Sequence, residues 1–474
     1  MKTWVVLLFC SVLIIPISAC ASVQRHDDPV VAELKKQLYG KADNIRPWLH
    51  YPQSVMRFYR ENDHSPVWIS PSGQALSGKA MLMLDCVLQY GLAPKDYHPH
   101  ELSYQLLATL SEKPGMLSIA AKIRFEVMLT DAMITFINHL HFGKTNPEYG
   151  QARVDGGMNM PFHAEEVLSG ALVKPDFEKA LLNVQPHTAE YAALQHWMYL
   201  WKGLYVGDCY EVADSVVHRV AINMERLRWA DINDSATYIK INIPSYTLTF
   251  HLPDTAYRFK VVVGKPATPT PLIKSRLNYF TTAPVWMVPQ KVFIDELLPK
   301  AIDDPAFIKQ NKFGVFDRSG VIAHPDKQLL QQIRQSPAGF YAKQSSGKGN
   351  ALGMLVFRIQ NIPDVYIHEA TGHQLTNFKY GAFSNGPIVM QNAVQLARLL
   401  LKNDDGGQSL GLLDKSLTRQ TTRNFILGKP VPLRITYLTC EMKDGYLVSY
   451  PDIYSLDAAQ TALLYSEAPL LTMK

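Results

Sequence analysis

Two spacings of apolar residues divide this chain. From about residue 29 to 200 they recur at intervals of three and four, as in Val31, Leu34 and Leu38, or Val55, Phe58 and Tyr59, which predicts helices. Leu82, Val87 and Leu88 lead into Tyr90-Gly91-Leu92-Ala93-Pro94, where glycine and proline end a helix. Leu117 to Phe142 predicts a long helix with Ile119, Ile123, Val127, Ala132, Phe136 and Leu140 on roughly one face, stopped by Gly143 and Pro147. A second long helix is expected near Tyr191 to Leu204, carrying Trp197, Tyr199 and Trp201.

At Tyr238 the period becomes two. Ile239, Ile241 and Ile243 alternate with Lys240 and Asn242, and Tyr246, Leu248 and Phe250 alternate with Thr247 and Thr249 after a break at Pro244-Ser245. Tyr257 to Val263 is a third strand, ending at Gly264. A parallel α/β arrangement needs a helix between successive strands, and the pattern offers none here, so an antiparallel sandwich or partial barrel is expected. Further on, Leu329 to Ile333 is a helical patch, Gln391 to Leu401 a helix, Lys402 to Gly411 a loop, and Val431 to Leu438 and Tyr446 to Tyr450 closing strands. The expected class is α+β, a helical N-terminal half followed by a mostly antiparallel β half.

The chain has 474 residues, room for two or three domains, with 47% hydrophobic and 19% charged residues, as in proteins that bury cores. A net charge of +5 with no dense Lys/Arg run argues against nucleic acid as a partner. The N-terminus changes the picture more. Lys2, then an apolar run from Trp4 to Ile17 interrupted by Ser11, then Ile17-Ser18-Ala19-Cys20, form an export signal. Its end is similar to a lipobox, in which Cys20 becomes a lipidated first residue. Cleavage near Ala19 or Ala21 without lipid, or an uncleaved anchor, are the other readings. Cys86, Cys209 and Cys440 cannot all pair within one chain and are read as inert buried thiols. With no CxxC or HExxH spacing, neither a metal nor a cofactor is expected. His139 and His141, two apart on a helix, do not share a face and are read as structural.

The candidate chemistry lies at Tyr366-Ile367-His368 and Ala382-Phe383-Ser384-Asn385-Gly386-Pro387-Ile388-Val389-Met390. Together they resemble the signature of the L,D-transpeptidases, cysteine enzymes that cross-link or decorate bacterial peptidoglycan. In that family a strand-end His is followed by a loop reading Ser-His-Gly-Cys-x-Arg, whose Cys is the nucleophile. His368, Ser384 and Gly386 match, whereas Asn385 stands at the loop His, Pro387 at the Cys and Val389 at the Arg. The resemblance extends to Asn242-Ile243-Pro244-Ser245-Tyr246, Val262-Val263-Gly264-Lys265-Pro266, Pro269-Thr270-Pro271, Trp286-Met287-Val288-Pro289, Asn350-Ala351-Leu352-Gly353 and Pro451-Asp452-Ile453-Tyr454, all in family order. In the first half, Ser65-Pro66-Val67-Trp68, Tyr90 to Tyr97 and Leu129-Thr130-Asp131-Ala132 resemble the helical scaffold of the large periplasmic members.

The resemblance implies a signal at 1–20, a helical scaffold at 30–205, a lead-in at 206–235 and a catalytic-type domain at 236–455, with a flap-like insertion over the substrate at 296–349. A peptidoglycan-binding module usual in large members does not fit between Trp201 and Val220. It also implies a periplasmic location, outer-membrane anchored if Cys20 is lipidated. The working chemistry needs a thiolate, an imidazole and N–H donors facing an oxyanion. Proline supplies neither a thiol nor an N–H. The expectation is therefore an envelope pseudoenzyme that binds peptidoglycan stem peptide or a cell-wall enzyme. The alternative is an active transpeptidase using another nucleophile, with Ser384 and Cys440 as the candidates.

Overall fold

A computed structural model describes residues 28–40, 45–71, 73–202, 212–229, 236–323, 325–371 and 381–465. Cys20 and Cys209 lie outside them. No helix among the described residues is long and apolar enough to cross a membrane.

The first half is built around the helix Ile119–His141, which begins where the Ser118 hydroxyl accepts the Ala121 N–H. It is buried on nearly every side from Ile123 to Leu140, beyond the single face that the spacing picks out. The helices Pro29–Tyr39, Pro52–Glu61, Gln74–Asp85 and Ala164–Leu172 all pack against it, and an all-round burial of this kind marks a central helix. Its polar residues face partners. Glu126 accepts the backbone N–H groups of Val67, Trp68 and Ile69 at 2.6–3.0 Å and the Tyr59 hydroxyl at 2.9 Å. Asp131 accepts the N–H groups of His50 and Tyr51, both at 2.9 Å.

Among the described residues nine strands form one sheet. They are β1 (Tyr238–Asn242), β2 (Thr247–Leu252), β3 (Thr255–Gly264), β4 (Ile273–Thr282), β9 (Leu355–Ile359), β10 (Tyr366–Glu369), β11 (Ala382–Ser384), β12 (Ile388–Met390) and β13 (Arg423–Thr436). Their order is β11-β3-β12-β10-β9-β4-β13-β1-β2, and β2 also pairs with β3, so all but β11 close a barrel. Most pairings are antiparallel; β1–β13, β10–β12 and β11–β3 are parallel. Parallel neighbours far apart in sequence leave no local trace, which is why alternation alone suggested only antiparallel pairs. Ile239, Ile241, Leu248, Phe280, Phe357, Ile367 and Leu433 fill the interior together with Leu396 and Leu400 of the helix Ala393–Asp405. A further helix, Leu410–Thr418, begins where only a loop was expected.

Between β4 and β9 a separate module is inserted. Its sheet, β5 (Trp286–Met287), β8 (Phe340–Gln344), β6 (Phe313–Asp317) and β7 (Ile322–Ala323) in that order, backs a core of Phe293, Leu298, Ile308, Leu330 and Ile333. It starts at Trp286, ten residues before the expected Glu296, because the family-like Trp286-Met287 is itself the module's edge strand.

The helix Asp214–Trp229 joins the halves. Tyr191, Met198, Ala221 and Met224 share one cluster with Leu438, Cys440 and Leu464. Asn223 exchanges two hydrogen bonds with Thr439, at 2.8 and 3.0 Å, and Arg226 pairs with Asp457 at 2.7 Å. Lys144 of the first half reaches both Asp96 and the Leu464 carbonyl.

Candidate active site

The parallel pairing of β10 with β12 sets the site. Ile367 faces Ile388 and His368 faces Val389, so the strand-end histidine lies beside the segment that follows Pro387. Since Ile367 points into the barrel core, His368 and Val389 lie on the outer face, where Val389 clusters with Val262 and Ala370. Tyr366, on that same face, packs with Leu352 and Val356 against Trp286 of the inserted module, and the Arg358 guanidinium sits over its ring at 4.8 Å.

His368 is only 7% exposed. Its Nδ1 lies 3.1 Å from the Glu369 carbonyl, the geometry of an Nδ1–H donor that leaves the lone pair on Nε2. Burial pushes its pKa down to about 4, with Arg358 adding a little and the Glu369 bond opposing. The imidazole is therefore neutral at pH 7, the form a general base requires.

The loop 384–387 is knitted by its own polar groups. Ser384 Oγ donates to the Pro387 carbonyl at 2.6 Å and accepts the Gly386 N–H at 3.2 Å. Thr270 Oγ1 donates to the Gly386 carbonyl at 2.7 Å and accepts the Gly264 N–H at 2.8 Å. Tyr454 then holds the Gly264 carbonyl and the Thr270 N–H, at 2.6 and 3.1 Å. Gly386 has φ +117°, a conformation that glycine adopts without strain. At the loop's exposed tip the Asn385 amide donates to Glu296 of the inserted module at 2.9 Å.

The structure thus brings His368, Ser384, Asn385, Gly386, Pro387 and Val389 into one region. Among the described residues no hydrogen bond joins Ser384 to His368, since the serine hydroxyl is occupied within its loop. Cys440 is elsewhere, fully buried in the joint between the halves, 3.2 Å from the Asn223 amide. Burial pushes its thiol up to about 12, away from thiolate character. Thr270 and Tyr454 were present in the sequence motifs only as framework. Their grip on the loop was invisible there, because the bonds join residues more than 100 positions apart.

One group in the scaffold half has metal-like donors. Ligand atoms of His50, His98 and Asp131 lie within 4.8 Å of one another. Asp131, however, already accepts two backbone N–H groups and faces His98 Nε2 at 2.6 Å, so the trio acts as a clamp on the turn at 50–51. His139 is bonded to the Tyr97 hydroxyl at 3.0 Å, and His141 stacks on Phe162.

Fold and site define a class: a barrel carrying a strand-end histidine beside a tight glycine loop, with an inserted module above and a helical domain ahead. Residues 236–424 match the family model of the L,D-transpeptidase catalytic domain, and residues 53–198 match that of the Scaffold domain. The chain therefore carries an L,D-transpeptidase-type catalytic domain behind a scaffold domain. It is 28% identical over 244 residues to a Haemophilus influenzae protein whose name assigns it, provisionally, to the L,D-transpeptidases. That match covers 51% of this chain and about half, 49%, of the relative.

Proposed function

We propose that this protein is a pseudoenzyme of the bacterial cell envelope, exported and held on a membrane through lipid on Cys20, that binds a peptidoglycan stem peptide without cleaving it. What supports the reading is Pro387, where the family resemblance puts the nucleophile, within a loop held by Thr270 and Ser384. Loss of the nucleophile from a concerted set lowers turnover on the order of a million-fold. Loss of one oxyanion donor costs roughly 3–4 kcal/mol more. Ground-state contacts to a peptide never depended on the thiol, so binding can outlast chemistry. Neutral His368, the loop glycine and the module above Asn385 are the groups left to make such contacts. The alternative, an active enzyme with a substitute nucleophile, is disfavoured by the engaged Ser384 hydroxyl and the thiol of Cys440, buried away from the site.

The test has two arms. Intact mass after incubation with a carbapenem is expected to show no added drug, and a covalent adduct would restore the enzyme reading. Titration with a tetrapeptide stem is expected to shift amide signals near His368 and Gly386 with a Kd of about 0.1–1 mM. No shift at millimolar peptide would remove the binding reading.

A further inference from the structure

A peptide lying beside His368 can run either way across the barrel's outer face. We infer, on the stem-peptide reading above, that Arg358 of β9 receives the peptide's free terminal carboxylate and so sets its direction.

Alternation along β9 decides where Arg358 points. Phe357 and Ile359 are in the barrel core, so Arg358 between them turns to the outer face, which also carries Tyr366 and His368. Register builds a row across four strands. Arg358 lies opposite Tyr366 on one side and Tyr279 on the other, and Tyr279 lies opposite Ile426. His368 is opposite Val356, in the next row, which makes Arg358 its diagonal neighbour. The guanidinium is near enough to act on the imidazole, adding to the causes that lower its pKa.

This guanidinium has an aromatic ring beneath it and no acid. It lies over the Tyr366 ring at 4.8 Å, and among the described residues it pairs with no carboxylate. Of the acids nearby in the chain, Glu369 accepts the Met354 N–H at 2.7 Å, and Asp364 acts on Tyr366 without forming an ion pair with Arg358. By contrast, Arg57, Arg226 and Arg228 each meet a carboxylate at 2.5–3.2 Å. Contact with a ring face orients a guanidinium but consumes none of its five N–H donors. Half-buried and so oriented, Arg358 offers the planar fork that grips a carboxylate through two parallel bonds.

The reach suits a short peptide. Only β10 separates β9 from β12 in the sheet, so at the usual strand spacing Arg358 stands about 10 Å from the strand that follows Pro387. Four extended residues span about 13 Å. A tetrapeptide that starts beside the loop and passes His368 therefore ends at Arg358. Half-exposed Tyr279 and exposed Ile426 continue the row beyond it as an apolar edge.

The experiment compares two ligands on the full-length protein, the tetrapeptide stem as free acid and the same peptide as its C-terminal amide. Any other carboxylates of the stem are the same in both. With amide shifts as the readout, the acid is expected to bind about five-fold tighter, a preference that shrinks with added salt. Arg358→Gln is expected to erase it by weakening the acid and leaving affinity for the amide as it was. Arg358→Lys, which keeps the charge without the fork, is expected to retain part of it. The comparison on the unaltered protein needs no variant, so a misfolded Arg358→Gln does not spare the inference. Equal binding of the two peptides, or a preference that persists in Arg358→Gln, overturns the carboxylate site while the peptide reading stands. No shift with either peptide at about 10 mM removes both.

Discussion

The long helix of the first half and the loop before β12 use buried polar groups in opposite ways. On the helix, Glu126 and Asp131 are consumed by structure, each accepting backbone N–H groups from a segment distant in sequence. In the barrel, Ser384 and Thr270 shape a loop that exposes its backbone beside a histidine, and that histidine has one hydrogen bond and an Nε2 with no hydrogen-bond partner among the described residues. The first arrangement uses its carboxylates to hold the fold. The second preserves the shape of a site while positions 385, 387 and 389 carry Asn, Pro and Val.

The sharpest way to probe the contrast is to remove a structural carboxylate. Glu126→Ala strands three backbone N–H groups, and we expect about 4 kcal/mol or more of destabilisation by urea denaturation, or failure to fold.

Next comes acid. Folded His368 has a pKa of about 4, below the roughly 6.5 of an unfolded histidine, so the unfolded state binds the proton more readily. This contribution is intact above pH 6.5, is lost as pH falls from 6.5 to 4, and levels off below. It amounts to about 3 kcal/mol at most. His368→Gln is expected to flatten the acid limb of stability between those pH values, and an unchanged limb would show that the imidazole is not buried neutral. His139, also held well below its usual value by burial, adds a slope of the same sign that the variant leaves in place.

A smaller effect is expected from Thr270→Val, which keeps the shape but leaves the Gly264 N–H and the Gly386 carbonyl unpaired. About 1–3 kcal/mol should be lost, with faster amide exchange at Gly264. Smallest is Asn385→Ala. Its contact with Glu296 is exposed, so thermal melting should move by no more than about 0.5 kcal/mol. A larger change would mean that the inserted module depends on this contact.

Much of the architecture could be read from the residues themselves. The change of period at Tyr238 separated the halves, and the spacing from Leu117 to Phe142 located the central helix within two residues at its start and one at its end. The order of motifs pointed to the L,D-transpeptidase-type domain. These features are local, written in spacing and residue type. Only the folded chain decided that the strands close on themselves, that three pairings are parallel, and that Trp286 belongs to the inserted module. It also decided that Thr270 and Tyr454 hold the loop and that Cys440 lies in the joint. Each depends on contacts between residues tens to hundreds of positions apart, formed when burial of one face of every strand selects a register that no single segment encodes.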